Sequence, residues 1–453
     1  MSARAREPVA VLGAGLAGLV AANELQRRSI PFRVFEAGKQ IAGLAKSFRD
    51  EAGFSYDFGA HFITNRLAAA LGIGGRCRDV RFYSEAVWLG GRPLTYPWGL
   101  AGSPTLLFSV LRSKLAGTTR PPTTATEAFT AEYGRDFARL VAIPLIERWS
   151  GIPASELAST VAEKIPGGVM HLVQLSVASR LTARAVAHGY CNEQPESIHV
   201  WHVYPEKGLS TLCEHLASHL STDVEMQSPV ERIIVEDERV RAIRVKGEEV
   251  EVSAVMSTAP VNVLAKLVEG TDALAPLARF RYRPMTFVNL RFEGRGLLPS
   301  VVLWHPEADF PFFRLTEAPL SMPWLAPDGM TMLTADLSCD VGDDIWKMPD
   351  DQIGELCLEH IARIVPDARK RYRGCGVLRT PLAYPIFLTE YEHERRAFAQ
   401  SSGVAGLASI GRNGEFAHIL MEDVYWRTLR RTRELADWLD AAPSRSTLSA
   451  QQA

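Results

Sequence analysis

The chain has 453 residues, a formal net charge of −2, 47% hydrophobic and 23% charged residues. That length exceeds one compact core, so more than one lobe is expected. The near-neutral charge argues against nucleic-acid binding by phosphate neutralisation. Cys77, Cys191, Cys213, Cys339, Cys357 and Cys375 are scattered with no CxxC pair, which suits a reducing, cytoplasmic setting without a disulfide or zinc framework.

The start, MSARAREP, is basic, and the apolar run VAVLGAGLAGLVAANEL follows it. A signal peptide is rejected, because the run holds a glycine pattern and continues into an amphipathic helix. Pro8 to Leu12 predicts a short strand, Leu16 to Arg28 a helix, and PFRVFEA a second strand; together they open a dinucleotide-type βαβ fold. Ala45 to Phe62 predicts a hairpin with alternating Phe54, Tyr56 and Phe58 and a turn near Asp50 to Gly53. Residues 64–220 read as mainly helical. Within them Gly99 to Leu111 is read as a buried helix of a second lobe, with a dip into a membrane interface left open; no stretch reaches the length of a membrane span. Pro229 to Pro260 predicts a three-stranded meander, 280–345 more strands, and 350–365 a helix. GLASI predicts a last strand, followed by a loop and the helix MEDVYWRTLRRTRELADWLD, and residues 441–453 read as a disordered tail. The fold class is α/β. Residues 1–75, 221–275 and 391–440 are assigned to one nucleotide-binding lobe. Residues 76–220 (helical) and 276–390 (sheet) are assigned to a substrate lobe.

Gly13-Ala14-Gly15-Leu16-Ala17-Gly18 has GxGxxG spacing between strand and helix. Gly13 permits the tight turn, Gly15 close approach of a pyrophosphate, and Gly18 close packing of helix on strand. The helix N-terminus then offers free N–H groups to phosphate. Glu36, followed by Ala37, ends the second strand; a carboxylate there accepts ribose hydroxyls and repels a 2′-phosphate.

Ala42-Gly43-Leu44-Ala45-Lys46 resembles the GGxxR segment of the large FAD-binding family of amine oxidases, protoporphyrinogen oxidases and UDP-galactopyranose mutases. Lys46 keeps the cation but loses the bidentate fork of arginine. The resemblance implies that Gly43 to Lys46 contact the pyrophosphate. Asp57-Phe58-Gly59-Ala60-His61 is similar to the family's DxGxH segment, which implies that Gly59, Ala60 and His61 lie against the isoalloxazine ring; a satisfied core histidine is the other reading of His61. Val230 resembles the valine whose backbone meets adenine, and Thr258-Ala259 a second crossing of the cofactor. Gly411-Arg412, then Met421-Glu422-Asp423, resembles the C-terminal flavin motif. This implies that Arg412 donates to the flavin and that the last helix aims its N-terminus at the pyrimidine end. An ordinary capped helix is the alternative.

The resemblance therefore implies FAD, its ADP half on Gly13 to Gly18 and Glu36, its ring between His61 and Arg412. Two chemistries remain. One is oxidation of a small or medium-sized substrate by hydride transfer to flavin N5. The other is a nucleotide-sugar mutase, in which reduced flavin attacks an anomeric carbon. Segments around Trp149, His202 to Leu212, Phe312 to Glu317 and Ala383-Tyr384 are similar to mutase segments, which would give Arg314 to a diphosphate and Trp149 and Tyr384 to the substrate. Gly167-Gly168 and His418 replace an arginine and a tyrosine pair expected of a mutase, so the oxidoreductase leads. His61, Arg314, Tyr384 and Arg412 are the catalytic candidates. Arg314 as a structural ion pair, and Trp149 and Tyr384 as core aromatics, stay open. His199, His202 and Cys191 lack metal-ligand spacing.

Overall fold

The computed structural model describes residues 7–59, 61–96, 108, 112–113, 120–164 and 177–441. Ala60, Pro166 to Gly168, Gly99 to Leu111 apart from Phe108, and the tail beyond Ala441 lie outside the described residues.

Val9–Leu12 is wholly buried, and so is nearly all of Phe32–Phe35. Strands without a polar face belong in a parallel sheet covered on both sides. They form one: Phe32–Phe35, Val9–Leu12, Ala254–Ser257 and Leu407–Ser409, in that order and all parallel. The sheet thus gathers strands from three distant parts of the chain. Helix Leu16–Arg27 covers it, and the last helix, Met421–Ala441, packs on that helix. Buried Glu24 joins the two, accepting from Arg27, Arg28 and Arg433.

Ser47–Arg49 pairs with Ser55–Asp57 as a hairpin, its turn closed by Gly53 N–H on Asp50 O at 3.1 Å. Val230–Glu236, Arg239–Val245 and Glu248–Glu251 make the antiparallel meander. The stretch expected to hold three strands holds four, because Ala254–Ser257 leaves the meander for the parallel sheet.

A second sheet has seven strands: Tyr372–Pro385, Tyr282–Glu293, Met330–Ser338, Arg314–Thr316, Val302–Trp304, Glu85–Leu89 and Arg92–Tyr96. Its last two strands lie inside the stretch read as mainly helical, as do strands Cys77–Asp79 and His202–Pro205, which that reading did not mark. Glu85–Leu89 is fixed by parallel pairing with Val302–Trp304, a partner far along the chain. The faces of the sheet differ, as alternation requires. Ala86, Val288, Leu290, Leu303, Leu315, Ala335 and Leu337 pack against helix Asp350–Ile361. Residues on the opposite face include Trp304, Arg314, Asp336 and Phe287, aligned across four neighbouring strands. The chain at Gly59 lies on that row: a Cβ there would stand 3.0 Å from both Arg314 Nη2 and Phe287 Cε1. Among the described residues no helix is long and apolar enough to cross a membrane.

Candidate functional site

Four separated segments meet at the N-terminus of helix Leu16–Arg27. Gly13 has φ +100°, and a Cβ on it would fall 2.1 Å from Thr258 Oγ1; one on Gly18 would fall 1.8 Å from Gly13 O. Thr258 is held there by its N–H and its hydroxyl, both donating to Leu12 O, at 2.9 and 2.8 Å. Gly15 bridges to Ala42, and Gly411, at φ +80°, lies so near Ala17 that a Cβ would come within 2.9 Å. Gly15 caps the helix with no side-chain hydrogen bond, and the first turn holds no acid. The N–H groups of Leu16, Ala17 and Gly18 are therefore not claimed by a capping side chain, and an anion fits there.

Glu36 Oε2 accepts from Ala14 N–H at 2.8 Å and Oε1 from Gly38 N–H at 2.7 Å. Two bonds leave a carboxylate with further lone pairs for hydroxyl donors. Glu36 O accepts from Ser228 N–H at 2.9 Å, which brings Val230 to the same end of the sheet. Ala45 N–H closes a turn on Ala42 O across Gly43 and Leu44. Lys46 donates to Gln40 and lies 5.1 Å over the Phe48 ring. A cleft of about 490 Å³ opens here, lined by Gly43, Lys46, Phe58 and, across from them, Leu378 and Arg379 of the second sheet.

Trp149, Tyr384, His418 and Arg412 come together. The Trp149 ring is 4.9 Å from Tyr384 and 5.1 Å from His418, and the Arg412 guanidinium lies 5.6 Å over Tyr384. Trp149 is set by the end of helix Ile143–Ser150, where Gly151 turns left-handed at φ +70° and Ser338 Oγ donates to Trp149 O at 3.1 Å. Arg412 donates from Nε to Ile419 O at 2.9 Å and meets no carboxylate among the described residues. Burial lowers its pKa, with only the nearby Tyr384 hydroxyl acting the other way. Arg314 differs: it is ion-paired with fully buried Asp336 and faces the Trp304 ring at 5.3 Å. Burial works against the Arg314 charge, but Asp336 and Tyr384 outweigh it and raise its pKa. Burial also pushes the Asp336 carboxyl up while Arg314 pulls it down. Burial prevails and raises the Asp336 pKa; beside a guanidinium that keeps its proton, the carboxylate is the form that pairs. His61 Nδ1 lies 3.7 Å from Asp57 Oδ2, beyond hydrogen-bond reach. Asp57 is itself fixed by Tyr204 Oη at 2.7 Å and Ser47 Oγ at 2.5 Å.

The acids after Met421 are engaged elsewhere. Buried Glu422 accepts from Thr64 Oγ1 at 2.6 Å and from Arg66, and buried Asp423 accepts from the N–H groups of Asn192 and Glu193 at 2.7 and 3.1 Å. They stitch the last helix to neighbouring segments. Sequence reasoning missed Asp336 and Trp304. The signal for Asp336 was present: an acid inside MTMLTADLS must be buried with a partner if the strand is central.

Residues 168–408, over half of the chain, match the family model of flavin containing amine oxidoreductases. The chain belongs to that family. Residues 11–71 match an NAD(P)-binding Rossmann-like domain, the model that covers the glycine turn. Reduced UDP-galactopyranose mutase superposes with a TM-score of 0.74 at 18% identity, over 95% of this chain and 96% of that one. A protein of Exiguobacterium sp. 255-15, assigned as a protoporphyrinogen oxidase, gives 0.72 at 14% identity over 95% and 98%. Putrescine oxidase bound to putrescine gives 0.65 at 14% over 95% and 99%. At these identities the likeness is one of fold. The family's flavin fits the residues present: Gly13 and Gly18 leave no room for a Cβ, which sets the uncapped N-terminus of helix Leu16–Arg27 close on the strand end, and Arg412 is a half-buried cation with no carboxylate partner among the described residues.

Proposed function

We propose that the flavin is FAD and that the protein is an oxidoreductase acting on a small or medium-sized molecule. One observation carries the choice of reaction. The Arg314 charge is already matched by Asp336, so the wall it belongs to is an aromatic slot, with Trp149, Tyr384 and Trp304, rather than an open cationic seat for a diphosphate. A diphosphate is held by converging, unspent guanidinium or ammonium groups.

When bound, the flavin supplies an electron sink that takes a hydride at N5. The protein's part is binding and orientation. The helix N-terminus at Gly15 takes the pyrophosphate, and Glu36 the ribose hydroxyls. Arg412, in surroundings of low dielectric, stabilises negative charge at the ring. Trp149 and Tyr384 hold the substrate and exclude water from it. To His61, whose Nδ1 lies 3.7 Å from Asp57 Oδ2, we assign the role of accepting a proton given up during oxidation. The partner is thus a small molecule, and the six free cysteines support a cytoplasmic setting.

The test is anaerobic mixing of the holoprotein with a panel of amines and alcohols, beside titrations with UDP, GDP and dTDP in the oxidised and dithionite-reduced states. Bleaching of the flavin band by an amine or alcohol supports the oxidoreductase. A spectrum perturbed by one nucleotide, more tightly after reduction, sinks it in favour of the nucleotide-sugar mutase.

A further inference from the structure

On the face of the seven-stranded sheet that carries Arg314, two rows of side chains run side by side. One aligns Trp304, Arg314, Asp336 and Phe287; the next aligns Val302, Thr316, Thr334 and Asn289. Arg314 and Thr316 are two residues apart on one strand, Asp336 and Thr334 two apart on the next, so all four point the same way. Only part of their hydrogen-bonding capacity is used. Arg314 donates from Nη2 to Asp336 Oδ2, and Thr334 Oγ1 donates to Asn289 Oδ1 at 2.7 Å. Arg314 Nε, Asp336 Oδ1, Thr316 Oγ1 and Asn289 Nδ2 are buried and meet no protein hydrogen-bond partner among the described residues. Asp336 is 0% exposed, Thr316 1% and Asn289 2%.

Leaving so many polar atoms together unsatisfied is costly, and the charged one is the costliest. The two rows are about 7 Å apart along the strands, a separation that one molecule accepting and donating hydrogen bonds of about 2.8 Å can span. The unpartnered atoms include a guanidinium N–H, a carboxylate oxygen and a hydroxyl, so it must both donate and accept, and a neutral molecule leaves the Arg314–Asp336 pair undisturbed. We propose that a buried water is bound between Arg314 Nε, Asp336 Oδ1 and Thr316 Oγ1, as a built part of the substrate wall. It accepts from the guanidinium, donates to the carboxylate and exchanges a hydrogen bond with the threonine hydroxyl, which gives it the partners that internal waters have. Thr316 is then a positioning residue: through the water it holds the free carboxylate oxygen, and so fixes the Arg314 fork from behind.

Thr316→Val separates the wet site from a dry one by the sign of its effect. Valine keeps the shape and removes the hydroxyl. With water bound, a partner is lost and the melting midpoint of the holoprotein falls, by about 1–2 °C. In a dry site the change deletes an unsatisfied hydroxyl, and the midpoint rises. Thr316→Ser keeps the hydroxyl. A crystal structure of that variant and of the wild type should show ordered water within about 3.2 Å of Asp336 Oδ1 and of the residue 316 hydroxyl. An unchanged or raised midpoint for Thr316→Val overturns the proposal, as does a crystal structure in which direct protein contacts close the space. The test is independent of which reaction the flavin supports.

Discussion

Replacing Arg412 by methionine tests the flavin site through two effects of opposite sign. In the protein alone the guanidinium donates one hydrogen bond, to Ile419 O, and faces the Tyr384 ring; among the described residues it has no carboxylate. Those contacts are worth about 1 kcal/mol each. Against them stands the partial burial of a charge without a counter-ion, which offsets them. Arg412→Met fills much the same volume and removes the charge, so the apoprotein should melt no lower than wild type. With FAD bound the balance reverses. A guanidinium bond to the ring is charge-assisted and worth about 1.5–3 kcal/mol, or about 10- to 150-fold in Kd. A 30-fold loss removes about 2 kcal/mol of ligand-linked stability at saturating FAD. The assay is titration of apoprotein with FAD by flavin fluorescence, with melting of both forms. If the variant binds FAD as tightly as wild type while its apoprotein melts markedly lower, Arg412 is a structural cation and the reasoning fails.

Glu36→Ala removes the acceptor for two backbone N–H groups and for the proposed ribose contact; FAD affinity should drop at least about tenfold, and an unchanged Kd would show that the ribose binds elsewhere. Gly18→Ala puts a methyl 1.8 Å from Gly13 O, so helix and strand must separate, at about 3 kcal/mol; an unaltered melting midpoint would contradict the packing. Glu24 gives a pH test. Burial opposes its charge, but hydrogen bonds from Arg27 and Arg433 prevail and hold the carboxyl at about 2 rather than 4.5. A depressed folded value means stability that is present above pH 4.5 and lost as pH falls toward 2. Glu24→Gln should therefore be less stable at neutral pH, by about 3 kcal/mol, with the difference from wild type vanishing near pH 2. A difference that stays constant from pH 7 to pH 2 would refute the ion-pair origin.

The nucleotide lobe was legible because its determinants are local. Gly13, Gly15 and Gly18 state their geometry within six residues, and the strand before them, Val9–Leu12, is apolar throughout. The hairpin turn was legible for the same reason, in Gly53. The second sheet was not. Glu85–Leu89 and Arg92–Tyr96 are short, and what makes the first a strand is Val302–Trp304, more than 200 residues on. No window of sequence contains that pairing. The aromatic slot fell between these extremes: Trp149 and Tyr384 were each marked, but their contact depends on how Gly151 and Ser338 place a helix end. Glu422 and Asp423 were marked too, but the partners the structure gives them were not legible. Acids at a helix start suit its dipole wherever the helix lies, so their presence carried no information on which neighbour they serve.

The two arginines beside Tyr384, Arg314 and Arg412, differ in a way that bears on chemistry. Arg314 has its own carboxylate, fully buried, whereas Arg412 has only a carbonyl and a ring. A protein that needed both as free cations for a dianionic substrate would gain nothing by burying Asp336 beside one of them, since each carboxylate cancels a charge that the ligand would otherwise meet. A protein that needs one cation at the flavin, and a rigid neutral wall opposite, gains from that placement. The ion pair holds the Arg314 plane against Trp304 and Gly59 without drawing anions into the slot. On the function proposed above, charge is left uncompensated at Arg412, where a reduced flavin would carry its negative charge. It is compensated at Arg314, where an uncharged or weakly charged substrate would lie. Asp336→Asn should then shift the cleft toward anions: inorganic diphosphate, without effect on the wild-type flavin spectrum, should perturb that of the variant. If diphosphate perturbs both equally, Arg314 is already free for anions and the case for a neutral wall is lost.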